Sequence, residues 1–385
     1  MSRRRALCGS NDTSSGKPCK NLKDACPHAG HRRAEDGGRT LPAGRAALES
    51  ATDDARHRER AAARRALTPP TAGSGPAADR ATFSAAVRSA ADALGLPERQ
   101  VVHDYWLVRA LHGLRKVLPE DGEVLVPAQK ARHSDRRVGR WAFGGGTSLT
   151  AAWRVAERYS EDIDGNLFAD EQMSPSAFAA VHRRISNAMC EAVEANDHKT
   201  LGRNVRTTTV DLEGHPGFLR VETALQGSDD GLVVAQEVNS LIAVHSGMDL
   251  TGKYSEVGGF RIPCVRPEWT AVNKFDAMHR RSVAGDLEGL VDRGRDLYDL
   301  WALAGSEHAT VIRQRTSELW ERATSGMRTP VPRPDGGYGQ SPALEFGSAA
   351  NDALREGFGN AIALTVWGQA PAFEEAVESA RLLDR

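Results

Sequence analysis

The residues best suited to chemistry in this chain lie between Gly144 and Asp164. Asp162 and Asp164 are two apart, and apolar Ile163 and Leu167-Phe168 around them predict a strand over 163–168. Side chains two apart leave a strand on the same face. Two carboxylates so placed repel each other unless a cation neutralises them. Magnesium or manganese suits such a pair, because a hard cation takes oxygen ligands and shares them with substrate phosphates. A solvated acidic turn is the better reading of the pair when it stands alone.

Just upstream is Phe143-Gly-Gly-Gly-Thr-Ser148. Glycines between a strand and a helix let the backbone approach a ligand closely. Gly145 and Gly146 would offer backbone amides to a phosphate, and Ser148 a hydroxyl. A tight structural turn accounts for this loop when it is taken alone. Its distance from Asp162 makes the two elements one unit, since a short helix and a return to a neighbouring strand fit between them. The glycine loop and the carboxylates would then face each other across one cleft. A third carboxylate should come from a later strand. Glu222, among the apolar residues of Leu219-Arg-Val-Glu-Thr223, is preferred, and Asp211 in Val210-Asp-Leu212 is the alternative.

The elements that must position these residues follow from hydrophobic period. Residues 81–94 and 98–118 read as helices, 138–143 as a strand, and Leu149 to about Glu157 as a helix. Residues 176–195 form an amphipathic helix. Residues 205–212 and 217–226 alternate about His215-Pro216-Gly217 and predict a hairpin. Residues 235–245 read as another strand. Beyond Pro267 the pattern is helical over 267–283, 286–304, 308–325, 346–363 and 371–384. Strands in the middle and helices at the end predict an α+β fold with a helical C-terminal subdomain.

Four motifs in order resemble the AbiEii/AbiGii nucleotidyltransferase toxins, of the DNA polymerase β-like superfamily. Gly145-Gly-Thr-Ser-Leu149 with Arg158-Tyr-Ser-Glu-Asp-Ile-Asp164 resembles the family's catalytic motif. Val101-Val-His-Asp-Tyr-Trp-Leu107 resembles its upstream helix. Pro267-Glu-Trp-Thr-Ala-Val-Asn-Lys-Phe-Asp-Ala277 resembles its lysine motif, with Lys274 at the cation. Gly294-Arg-Asp-Leu-Tyr-Asp-Leu300 resembles its Arg-Asp-x-x-Asp-Leu motif, with Asp296 and Asp299. The family usually has a large apolar residue after the second Asp, where this chain has Gly165. The resemblance spans about 81–385. It implies a polymerase β-like nucleotidyltransferase core over 81–265 and a helical subdomain over 266–385. It further implies Mg2+ or Mn2+ on Asp162, Asp164 and Glu222, and Lys274 as a phosphate contact. Asp296 would hold Lys274 or a catalytic water. The implied activity is transfer of a nucleoside monophosphate from a nucleoside triphosphate to RNA, a tRNA end first. Such a chain would be the toxin of a type IV toxin–antitoxin or abortive-infection pair, with a separately encoded antitoxin. A small-molecule nucleotidyltransferase and a non-catalytic nucleotide-binding module are the alternatives. Without the resemblance, Lys274 could simply extend its charge to solvent, and the two aspartates could form structural salt bridges.

The first 80 residues fall outside the resemblance. They hold 16 Lys/Arg against 9 Asp/Glu, and the remainder 34 against 42, so a basic arm precedes an acidic body. Cys8, Cys19 and Cys26 with His28 or His31 could supply a tetrahedral zinc site in a small module over 1–35. A basic arm with incidental cysteines is the other reading. Pro69-Pro70 and Gly73-Ser-Gly-Pro76 mark 36–80 as linker. Cys190 and Cys264 sit in apolar surroundings and should be buried and inert. No apolar run reaches the roughly 20 residues of a membrane span. No apolar stretch follows basic Met1 to Arg5, and a cytoplasmic location is expected.

Overall fold

The structure is a computed structural model; it describes residues 80–126, 136–169, 173–193, 196–200, 205–211, 218–251, 254–324 and 330–384. Cys8, Cys19, Cys26, His28 and His31, for which a zinc site was expected, and residues 36–79 of the expected linker lie outside these residues. Among the described residues eight strands form one mixed sheet. They are β1 (Glu123–Val126), β2 (Arg136–Gly144), β3 (Asp162–Ala169), β4 (Asn196–Thr200), β5 (Val205–Asp211), β6 (Phe218–Gln226), β7 (Val233–Asn239) and β8 (Gly258–Val265). Their order is β4-β5-β6-β3-β2-β8-β7, with β1 also on β2. β3 runs parallel to β6 and β2 parallel to β8, while the other neighbours are antiparallel.

Helices α1 (Arg80–Leu94), α2 (Glu98–Gly113) and α4 (Pro175–Ala192) share a core with one face of the sheet, including Trp141, Ile163, Leu167 and Val221. Between β2 and β3 lies the short α3 (Gly145–Ala151), and after β7 the short α5 (Leu241–His245). The C-terminal helices are α6 (Pro267–Val283), α7 (Leu287–Val291), α8 (Gly294–Ala304), α9 (Ala309–Thr324), α10 (Ala349–Thr365) and α11 (Phe373–Leu383). From the other sheet face Ala142, Phe168 and Val265 pack with Trp269 and Val272 of α6 and Leu319 of α9. A separate apolar cluster joins Leu149 of α3 to Phe275, Leu297, Leu300, Leu354 and Val377. The expected α+β class and helical C-terminal third are observed.

Local chemistry explains where the elements differ from the sequence pattern. The helix expected over 149–157 begins at Gly145 and ends at Ala151. Trp153 then donates its indole N–H to the Val265 carbonyl (3.0 Å), and Arg154 takes a left-handed φ of 54°, which turns the chain. The strand expected over 235–245 stops at Asn239, because the Ser240 hydroxyl caps α5 by accepting from the Ala243 amide. The helix expected over 286–304 is two helices, the first capped by Asp286 through the Gly289 amide. Pro267 occupies the first turn of α6, where its fixed φ suits a helix start.

Candidate active site

Strand alternation sends Ile163 and Leu167 into the α2/α4 core and Asp162, Asp164 and Asn166 towards α6. The parallel β3–β6 register sets Asp162 opposite Arg220 and Asp164 opposite Glu222. Thus Glu222 lies beside the aspartate pair. Asp211 does not, since it ends β5 opposite Phe218, and the β5 residue facing Glu222 is Thr207. These side chains floor a cleft of about 260 Å³ whose other walls include Gly145, Gly146, Lys274, Arg295 and Asp296.

The glycines are needed where they stand. Gly145 has a φ of +67°, and a Cβ there would lie 1.9 Å from Asp164 Oδ2. A Cβ on Gly146 would lie 2.0 Å from an Arg158 terminal nitrogen. Backbone therefore approaches both the acidic floor and the cationic wall. Thr147 binds this turn to the carboxylate strand, its hydroxyl donating to the Asp162 carbonyl at 2.5 Å. Ser148 departs from expectation. It is fully buried, its hydroxyl donates to the Gly145 carbonyl (2.8 Å), and it lies outside the cleft wall. It stabilises the turn rather than facing a ligand.

Burial, then repulsion from Asp162 and Glu222, pushes the Asp164 carboxyl up to about 6 against the opposing pull of Lys274 and Arg295. Arg220 stands where a cation is wanted: its guanidinium reaches Asp162 at 3.2 Å and Glu222 at 3.3 Å. Among the described residues no three acidic, His or Cys side chains converge into a preformed metal cage. The donor set still fits magnesium, which is usually held by one or two carboxylates with water and substrate phosphate completing its shell.

Facing the floor is a charge network that periodicity could not show. Lys274 Nζ lies 2.7 Å from Asp296 and 2.6 Å from Asp299, with only 8% of its side chain exposed. It therefore does not extend to solvent. Arg158, fully buried, grips Asp299 with two parallel hydrogen bonds of 2.6 and 2.7 Å. Arg293 donates to Asp296 at 3.2 Å. Burial alone would raise the Asp296 carboxyl, but Lys274, Arg293 and Arg295 outweigh it and hold the group well below the carboxylate range. Burial also opposes the charge on Asp299, and Arg158 and Lys274 prevail there. Four cations against two carboxylates leave this wall positive.

Sequence reasoning gave no role to Arg158 or Arg220. The Asp299 partner lies 141 residues from Arg158, beyond any local pattern. Arg220 had a findable signal, two residues before Glu222 on one strand face. Gly165, where a larger residue was expected, faces Trp141, whose indole atoms lie 2.5 Å from any added Cβ. That ring supplies the missing bulk.

Residues 138–378, well over half the chain, match the family described as nucleotidyl transferase AbiEii toxin of type IV toxin–antitoxin systems. This chain belongs to the AbiEii nucleotidyltransferase toxin family. The match takes in the carboxylates, the glycine turn and Lys274. A solved structure of MenT4, a nucleotidyltransferase toxin from Mycobacterium tuberculosis H37Rv, is 16% identical over 78% of this chain and 98% of that one, with a TM-score of 0.40. That likeness is too loose to add to the family assignment. No curated protein matches the chain. Among the described residues no helix is long and apolar enough to cross a membrane.

Proposed function

We propose that this nucleotidyltransferase moves a nucleoside monophosphate from a nucleoside triphosphate to an RNA end, with Mg2+ or Mn2+ on Asp162, Asp164 and Glu222. The single observation behind the reading is the carboxylate floor facing a positive wall across one cleft. Acidic residues opposite a cationic surface suit a triphosphate that arrives with divalent metal. Bound metal would neutralise the floor and polarise the α-phosphate. Arg220 would yield its two carboxylates to it.

The chain's own groups account for the rest. Gly145 and Gly146 line the cleft, and their backbone amides would face the triphosphate there. The acceptor hydroxyl oxygen attacks the α-phosphorus. Its proton passes to Glu222, the more exposed of Asp162 and Glu222 at 30%. The bond to pyrophosphate breaks, and Lys274 with Arg295 balances the charge on the departing group. Asp296 and Asp299 hold the Lys274 ammonium in place. The chain would act in the cytoplasm as the toxin of a pair whose antitoxin is encoded separately.

Induced expression of wild type and of Asp162→Ala, followed by sequencing of cellular RNA ends, tests this reading. Wild type should arrest growth and leave nucleotide-extended ends, and the variant should do neither. Arrest by both proteins with unaltered ends would sink it.

A further inference from the structure

The cleft continues beyond its charges. Two residues past Asp164 on the same face is Asn166, and four past Glu222 is Gln226. At about 3.3 Å per residue they lie roughly 7 and 13 Å along the floor. Between the carboxylates and Gln226, β6 presents only Ala224 to the cleft. Helix α6 closes this end with Trp269, Thr270 and Asn273. The charged half of the cleft thus gives way to a half lined by amides, a hydroxyl and an indole.

The hydrogen bonds there fix what is presented. The Trp269 indole is a donor only, and it points at Asn166 Oδ1 (3.4 Å). That oxygen also accepts from Gln226 Nε2 (3.1 Å). Gln226 therefore turns its nitrogen to Asn166 and keeps its oxygen free. Asn273 likewise commits one N–H to the Trp269 carbonyl (2.9 Å), and its oxygen accepts no hydrogen bond among the described residues. Thr270 is only 4% exposed, lines the cleft, and its hydroxyl has no hydrogen-bond partner among the described residues. A buried hydroxyl left unpaired is costly, and at a cleft wall a water, an ion or a ligand group can complete its bonding. The fold already provides an acceptor-rich edge, with one unsatisfied hydroxyl, beside an aromatic ring.

We propose that Gln226, Thr270 and Asn273 read the edge of a nucleobase, favouring bases with an exocyclic amino group over uracil. This rests on the nucleotidyl-transfer reading above. An exocyclic amino group offers two N–H donors to the two free amide oxygens, whereas uracil has only its N3–H on that edge and would turn a carbonyl towards the second oxygen. The base belongs either to the donor triphosphate or to the last nucleotide of the acceptor, and both present the same chemistry.

The test is made on the full chain. Equilibrium binding of ATP, CTP and UTP is measured with Mg2+, and transfer is measured to RNA oligonucleotides that differ only in their last base. Wild type should favour the amino-bearing bases about tenfold or more in one of the two arms. A preference in the binding arm assigns the subsite to the donor, and one in the transfer arm assigns it to the acceptor. Gln226→Leu and the near-isosteric Thr270→Val should each compress that preference at least severalfold. Thr270→Val removes an unpaired hydroxyl, so it should fold at least as well as wild type. No preference in either arm, or a preference that survives both variants, overturns the proposal. Selective binding without transfer to any acceptor would leave the proposal standing and count against nucleotidyl transfer. A chain that binds no triphosphate loses both.

Discussion

Lys274 illustrates how little one side chain reveals until its neighbours are placed. Its ammonium is sealed between Asp296 and Asp299, whose negative charges are in turn held by Arg293 and Arg158. Without Lys274 the two aspartates keep Arg158 and Arg293, so the loss is that of charged hydrogen bonds and not of a wholly orphaned buried charge. Lys274→Met should therefore lower unfolding free energy by about 2–3 kcal/mol in urea titrations, besides weakening transfer. A change below about 1 kcal/mol would mean that the network is not closed as described. The glycine turn gives a second expectation at this scale. Gly145→Ala must force a Cβ into Asp164 Oδ2 from a left-handed backbone. Transfer should fall at least about tenfold in steady-state assays even where the variant still folds.

Elements carry the next set of consequences, and α2 holds the clearest. Asp104 on that helix is buried and accepts the Leu241 amide at the start of α5 (2.6 Å), which ties the two helices together. Burial pushes its carboxyl up to about 7, despite that hydrogen bond. The unfolded carboxyl ionises near 4. The stability linked to this group is therefore full below about pH 4 and is lost as pH rises to about 7. Asp104→Asn should lie within about 1 kcal/mol of wild type near pH 4.5 and exceed it by a few kcal/mol, at most about 4, at pH 8. Paired denaturation curves across that range check the sign, and a variant that is less stable at pH 8 contradicts it. Legibility also varied by element. The helix over 267–283 and the carboxylate strand could be read from period and flanking residues. β1 is four residues long with a charged start. β8 contains two glycines and Pro263, and the sequence pattern assigns it to no element; the ladder slips at Gly259 and then continues through Pro263. The break between α7 and α8 depended on one capping aspartate inside a continuous helical pattern. The aspartate pair was visible from alternation alone. The pairing of Glu222 with Asp164 required the parallel β3–β6 register, which no local pattern encodes.

The whole molecule explains why an α+β core needs its helical end. The described residues from 80 to 384 fall in one compact unit, which holds both the strands and the C-terminal helices. The α8 helix, bearing Asp296 and Asp299, is backed by α11, which buries Phe373, Ala376, Val377, Ala380 and Leu383. The end of α10 clips onto the run before β3, with the Tyr159 amide donating to the Thr365 carbonyl at 2.8 Å. Deleting residues 371–385 would expose that apolar face and leave α8 unsupported. At about 1.5–3 kcal/mol per large apolar side chain, the loss should exceed about 5 kcal/mol. The truncated chain should lose its cooperative thermal transition. A truncated chain melting within a few degrees of wild type would contradict this account of the fold. The central claim is that the cleft transfers a nucleotide through Asp162 and Asp164. Its most direct measurement uses purified protein, Mg2+, RNA and triphosphates labelled separately at the α- and γ-phosphate. The account expects the α-label to enter RNA and the γ-label to leave in pyrophosphate, with Asp164→Asn at least about a hundredfold slower. Transfer of the γ-label to RNA, or an unchanged rate in Asp164→Asn, would contradict it.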